Sequence, residues 1–321
     1  MEFFTTYILP YILLVFGFFI LIKGADFFVE GSSSIAKKLR IPDIIVGLTI
    51  VAMGTSAPEL AVSVSAAVGG SSDIAIGNVV GSNLLNILIV LGVSAIIVPL
   101  AVDRSIFKRD FPMLMITAVI LPVMTLIGDN QIGRIAGIIL LVLFVGYIFL
   151  TVRAALAYRK NEAEKNESET IKVLPWWKSI LFTVCGAAVI VIGANLSVDN
   201  AVIIAGQLGI SEAVIGLTVV ALGTSLPELV TSVVAAKKGN SDMALGNVIG
   251  SNIFNVLLIL GTTATIKPFA VEFTTLIDQF ILLGVTAYLL VTSITGKRIS
   301  RVEGATYVLI YVGYTVYLFL R

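Results

Sequence analysis

The sequence predicts an all-α polytopic membrane protein with ten transmembrane helices arranged as two inverted-topology repeats of five. Three observations predict it. First, 58% of the 321 residues are hydrophobic, only 13% are charged, and the mean hydropathy is +1.04, whereas about a quarter of a soluble domain is charged. Second, the chain repeats itself at an offset of 169 residues. Third, its Lys and Arg residues concentrate on alternate loops.

The repeat is read directly. Residues 47–63, GLTIVAMGTSAPELAVS, fall on 216–232, GLTVVALGTSLPELVTS, with 12 of 17 positions identical. At the same offset, 73–92, DIAIGNVVGSNLLNILIVLG, falls on 242–261, DMALGNVIGSNIFNVLLILG, with 12 of 20 identical. Long-period duplication in a hydrophobic chain points to a transporter built from two structural repeats.

A bilayer core takes about 20 apolar residues per helix. Ten stretches qualify: 7–29, 44–68, 74–99, 111–128, 132–153, 177–203, 213–236, 243–266, 273–293 and 303–320. The fourth and fifth are separated by a Gly-Asp-Asn-Gln turn at Gly128–Gln131. The longest polar stretch, 154–176, separates a first five-helix unit, 1–153, from a second, 177–321. The first apolar stretch has no positive leader and is expected to be a span, not a cleaved signal.

With ten spans, the odd-numbered loops hold 17 of the 21 Lys and Arg residues. The positive-inside rule then puts the central loop in the cytoplasm and both termini outside, in a multi-pass protein expected at the plasma membrane. Five spans per repeat is an odd number, so the second copy enters from the opposite side. The repeats are inverted, with the expected site at the midplane between them.

Polar residues inside the spans mark that site. In the second span Ala52, Thr55, Ser56 and Glu59 share one helical face, and Pro58 with Gly54 should kink or break the helix. A break exposes backbone carbonyls, here expected at Ala52, and these are tolerated only where they line a cavity. The seventh span repeats the pattern with Ala221, Thr224, Ser225, Pro227 and Glu228. Asn78, Ser82 and Asn86 form a stripe on the third span, and Asn247, Ser251 and Asn255 one on the eighth. A carboxylate within a span is expensive and usually functional. Hydroxyl, amide, carbonyl and carboxylate oxygens suit hard cations such as Ca²⁺ and Na⁺ and suit soft transition metals poorly. Ser, Thr and Asn in spans also serve as interhelical hydrogen-bond glue, the role expected of Asn83 and Asn252. Lys23 and Asp26 are expected to form a snorkelling ion pair.

Other classes lose support. Cys185 is the single cysteine, so intramolecular disulfides are impossible, and the chain has no His, which removes His-based zinc sites and His general bases. With no phosphate-binding loop and no basic block with interleaved aromatics, an enzyme, direct ATP coupling and nucleic-acid binding are not expected. No cofactor and no obligate protein partner are implied. The expected partners are the transported ions and the lipid bilayer.

GTSAPEL with GSNLLN, and GTSLPEL with GSNIFN, resemble the two alpha repeats of the Ca²⁺/cation antiporter superfamily, and most closely the prokaryotic sodium/calcium exchangers. The resemblance covers nearly the whole chain and implies ten helices in two inverted halves. It implies ion ligands at Ala52 (carbonyl), Thr55, Ser56, Glu59, Ser82 and Asn86, and at Ala221 (carbonyl), Thr224, Ser225, Glu228, Ser251 and Asn255. It implies Na⁺/Ca²⁺ antiport by alternating access, with the first and sixth spans moving against the rest. Gly54-Thr55-Ser56 and Gly223-Thr224-Ser225 favour sodium coupling, since the proton-coupled branch typically has Gly-Asn there; a proton- or potassium-coupled exchanger on the same fold is the alternative. Some members carry Asp where this chain has Asn255, so the expected centre holds two formal negative charges. One Ca²⁺ or two Na⁺ would neutralise it.

Overall fold

The computed structural model describes residues 4–69, 72–102, 104–164, 173–209 and 221–320. Among them, eight helices are long and apolar enough to cross a membrane. They are Thr6–Leu39, Ala75–Ile97, Ile106–Ile127, Arg134–Lys160, Trp176–Gln207, Ser241–Ile266, Phe273–Gly296 and Arg301–Leu320. A further pair, Asp43–Thr55 and Ala57–Gly69, passes the same test together and is bent by 47° at its break. Of the expected seventh span, 213–220 lies outside the described residues. Its remainder forms two helices, Ala221–Thr224 and Leu226–Lys237. Part of the central polar stretch, 165–172, also lies outside them.

Several helices outrun the hydropathy that announced them. The first runs to Leu39, past the polar Ser32-Ser33-Ser34 step, and stops at Arg40, whose φ of 55° closes the helix in the left-handed region. The fifth continues to Glu164, into the expected linker. Hydropathy sees the apolar slab, whereas packing and backbone hydrogen bonds carry the helix beyond it. Between the fourth and fifth spans, Asp129 and Asn130 take positive φ, which short polar side chains tolerate best after glycine. The expected turn is therefore built.

The first and sixth helices run antiparallel along their length: Gly17 lies against Ser197, and Gly31 against Thr183. Hydrogen bonds at one end reinforce the pair, with Ser179 Oγ donating to Ser34 Oγ at 3.0 Å. The molecular centre is instead formed by the second and eighth spans. Gly250 is one of the close points there, with Gly47 and Gly246, because a Cβ on it would stand 2.7 Å from Ala52 Cβ and 2.8 Å from the Leu48 carbonyl. A small residue at such a crossing lets two backbones approach directly. The buried core runs through this crossing and includes Leu48, Val51, Leu84, Leu88, Val248, Ile253 and Leu257, each at most 0% exposed.

Two pairs of short strands stitch the repeats together. β1 (Leu100–Ala101) pairs antiparallel with β4 (Arg298–Ile299), and β2 (Gln131–Ile132) with β3 (Phe269–Ala270). β1 and β3 are equivalent under the sequence repeat, so each pair joins one repeat to the other and the two pairs mirror each other.

The Gly250 crossing yields a stability prediction. Gly250→Val should cost about 1–3 kcal/mol, the usual range for overpacking, read as a lowered melting temperature of the purified protein in detergent. Gly313→Ala, at an exposed position with open space around it, should leave the melting temperature unchanged or slightly raised.

Candidate cation site

The second span breaks where Gly54 and Pro58 led one to expect. Its helix ends at Thr55, Ser56 turns with φ −81° and ψ 7°, and a new helix starts at Ala57. Ser225 makes the same turn, with φ −93° and ψ 5°, between the two helices of the seventh span. The break places Glu59 and Glu228 in the first turn of their second helices, both 0% exposed.

One expectation about the break requires correction. The Ala52 carbonyl is not freed: it accepts from the Ser56 N–H at 2.9 Å. Pro58 lacks an N–H, so the carbonyl four residues before it, that of Gly54, is the one deprived of a helical donor. Ala52 is served by Ser56, which keeps its N–H. Only a second lone pair of the Ala52 carbonyl is open to a ligand. Ala221 takes the equivalent place at the start of its short helix.

Around the carboxylates the two repeats interlock. Ser56 Oγ donates to Glu228 Oε1 at 3.0 Å across the repeat boundary, and Ser251 Oγ approaches the same oxygen at 3.5 Å. Thr55 Oγ1 donates to Asn247 Oδ1 at 3.1 Å, again across the boundary. Ser225, the counterpart of Ser56, lies beside Glu59 but closes no hydrogen bond. Ser82 and Asn86 are buried on the third span, and Thr224 is half-buried. Helix Leu226–Lys237 packs on Asn86–Leu91, and helix Ala57–Gly69 on Asn255–Leu260. The predicted residues of four spans are thus brought to one place.

Other polar residues serve as glue. Asn78 Nδ2 donates to Ser63 Oγ at 3.0 Å and to the Glu59 carbonyl at 3.5 Å. Asn247 Nδ2 repeats this with Ser232 Oγ at 2.9 Å and the Glu228 carbonyl at 3.4 Å. Ser63 and Ser232 were missed by the sequence reading, although their identity at equivalent repeat positions marks them. Asn83 and Asn252 bond to each other's backbone carbonyls at 3.2 and 3.3 Å. Lys23 stands 3.9 Å from Asp26, but Lys238 stands closer, at 3.2 Å.

The sequence also concealed the π-helical turns, among them Asn86–Leu91 and Asn255–Leu260, each beginning at a predicted ligand. Such widened turns occur often at functional sites, and no periodicity of side chains announces them.

Buried polar atoms almost always find partners, so the exceptions are informative. Glu59 Oε1 and Oε2, Glu228 Oε2, Asn86 Oδ1, Asn255 Oδ1 and Ser225 Oγ are all buried without a hydrogen-bond partner. One nitrogen, Asn86 Nδ2, is open beside these oxygens, and all of them belong to the residues that the breaks and the third and eighth spans bring together. Ca²⁺ takes six to eight oxygen ligands in flexible geometry. Among the described residues no third acid joins the two glutamates, so the centre holds two carboxyl groups and at most two negative charges.

Comparison with known proteins follows the same lines. The profile of the sodium/calcium exchanger protein family matches residues 9–153 and 178–320. Sodium/calcium exchanger MaX1 of Methanosarcina acetivorans is 35% identical over 343 residues, covering 96% of this chain and 98% of its own. The inner membrane protein YrbG of Escherichia coli is 36% identical over 260 residues, covering 80% and 79%. The solved structure of the sodium-calcium exchanger NCX_Mj superposes with a TM-score of 0.83 at 33% identity, over 97% of this chain and 98% of that one.

The unpartnered carboxylate at Glu59 has a measurable consequence. Without metal, Glu59→Gln should raise the melting temperature by a few degrees at most, because an unpartnered carboxamide is cheaper to bury than a carboxyl group whose charged form no donor compensates. Addition of Ca²⁺ should stabilise the parent protein and leave this variant nearly unmoved.

Proposed function

The chain belongs to the sodium/calcium exchanger protein family, and from that membership we propose that it exchanges Na⁺ for Ca²⁺ at a site built around Glu59 and Glu228. The single observation that carries the site is the set of unpartnered buried oxygens on Glu59, Glu228, Asn86, Asn255 and Ser225. A cation supplies what each of them lacks. Thr55, Ser56, Ser82, Thr224 and Ser251 contribute hydroxyls, and Ala52 and Ala221 contribute carbonyls.

Two carboxylates suit one Ca²⁺ or two Na⁺, so the ions compete for shared ligands and each must leave before the other binds. Inverted repeats suit alternating access around such a site. The alternation is coupled to movement of the first and sixth helices, which pack mainly on each other. Mg²⁺ holds its waters tightly and demands a smaller octahedral cage, so it is a poor substrate here.

The proposed topology has ten spans, with the central stretch cytoplasmic, both termini outside, and the protein in the plasma membrane. Strand pairing supports the count. β2 and β3 are hydrogen-bonded, so they lie at one face, and the chain between them crosses the membrane an even number of times. The fifth, sixth and eighth spans give three crossings. The stretch that holds Ala221–Lys237 supplies the fourth. The bias of Lys and Arg supports the orientation.

Flux and labelling test these proposals. Proteoliposomes loaded with Na⁺ and diluted into Na⁺-free buffer should accumulate ⁴⁵Ca²⁺, and those holding Glu228→Gln should not. Accumulation driven by a proton gradient and indifferent to Na⁺ would move the protein to a proton-coupled reaction. For orientation, single cysteines are introduced in a Cys185→Ser background. An impermeant maleimide should label Asn130→Cys on intact cells and Lys172→Cys only after lysis; the reverse pattern would invert the topology.

A further inference from the structure

Asn83 and Asn252 occupy equivalent positions in the two repeats, 2% and 1% exposed, and neither belongs to the proposed ligand set. Each donates its carboxamide Nδ2 to the other's backbone carbonyl. A carboxamide donates only through its nitrogen, so these bonds decide which end of each side chain is oxygen. The Asn83 oxygen is left facing Asn255, whose Nδ2 donates to it at 3.0 Å. Asn255 then has one end remaining, Oδ1, buried and without a partner.

We infer that Asn83 and Asn252 are positioning residues that orient the ligand asparagines of the opposite repeat. By taking the Asn255 nitrogen, Asn83 makes Asn255 present oxygen to the cation, and Asn252 acts in the same way on Asn86. The need is electrostatic. A carboxamide is nearly symmetric in shape, but its NH₂ end carries partial positive charge and repels a cation. An unclamped asparagine would spend part of its time the wrong way round.

The two arms differ in this structure. The Asn83–Asn255 arm is closed. In the other, Asn252 Oδ1 and both polar atoms of Asn86 are buried without partners. Closing it would join Asn86 Nδ2 to Asn252 Oδ1 and leave Asn86 Oδ1 for the ion, so one rotation satisfies every open atom once a cation arrives. The inference rests on the cation-site reading above, and its test separates the two.

Ca²⁺ affinity is read from the Ca²⁺ dependence of the melting temperature of the purified full chain. Asn83→Ala should weaken Ca²⁺ binding about tenfold, the order expected for one lost ligand contact. It should also lower the metal-free melting temperature, because the bond to the Asn252 carbonyl is lost. In an Asn255→Ala background there is no carboxamide to orient, so adding Asn83→Ala should not weaken affinity further. In an Asn86→Ala background the two effects should multiply. Asn83→Asp keeps an oxygen facing Asn255 but loses the donor to the Asn252 carbonyl and adds a negative charge, so it should bind Ca²⁺ at least as tightly as the parent with a lowered metal-free melting temperature; this variant carries the test if Asn83→Ala does not fold.

A lowered metal-free melting temperature with unchanged affinity would reduce Asn83 to packing. So would multiplication of the effects in Asn255→Ala, or an Asn83→Asp affinity as weak as that of Asn255→Ala. If Glu228→Gln binds Ca²⁺ like the parent, the site itself is misplaced. If Glu228→Gln loses binding while Asn83→Ala keeps it, only the positioning role falls.

Discussion

Two carboxylates buried in an apolar helix bundle are the constraint on which the rest of this structure depends. An ionised carboxylate without partners is too costly to bury unless something compensates it. Protein donors compensate only partly here: Glu228 has Ser56 and Ser251 on one oxygen, and Glu59 has none on either. The broken helices bring the carboxylates in, and the Gly250 crossing holds the broken second span against the eighth. The remaining requirement is positive charge, which the proposed site draws from the transported ion. On that proposal the cargo doubles as a structural element whenever it is bound.

The inverted repeat suits the release that the proposed exchange requires. Bonds between the halves come in mirror pairs: Asn83 with Asn252, and β1–β4 with β2–β3. Near the carboxylates the mirror fails. Ser56 bonds Glu228 while Ser225 does not bond Glu59, and Asn83 holds Asn255 while Asn252 does not hold Asn86. Two halves of like sequence in unlike states are what alternating access needs, because exchanging their conformations gives a second state of comparable energy.

Most of this was legible residue by residue. Gly54 and Pro58 announced the break at Ser56, since a missing donor and a missing side chain act locally. The stripes on the third and eighth spans were legible because helical spacing alone puts such residues on one face. The Ala52 carbonyl was misjudged because proline deprives the carbonyl four residues back, not six. The π-helical turns at Asn86 and Asn255 were illegible, since widening a turn depends on what packs against it. The length of the first helix was underestimated for a related reason: hydropathy reports the slab, and the sixth helix supports the rest.

By itself the sequence determined the class of protein, the duplication and the residue types of the site, because apolar composition, an offset repeat and in-span carboxylates each carry a free-energy cost that few structures can accommodate. Tertiary structure alone decided which polar groups bond to one another and which stay open. Asn78 and Asn86 lie on the same stripe, yet Asn78 ties its helix to Ser63 while Asn86 keeps both polar atoms unbonded. That distinction is set by what stands within about 3 Å of each atom, and for a chain folded as two interlocked repeats the deciding neighbours often come from the other half.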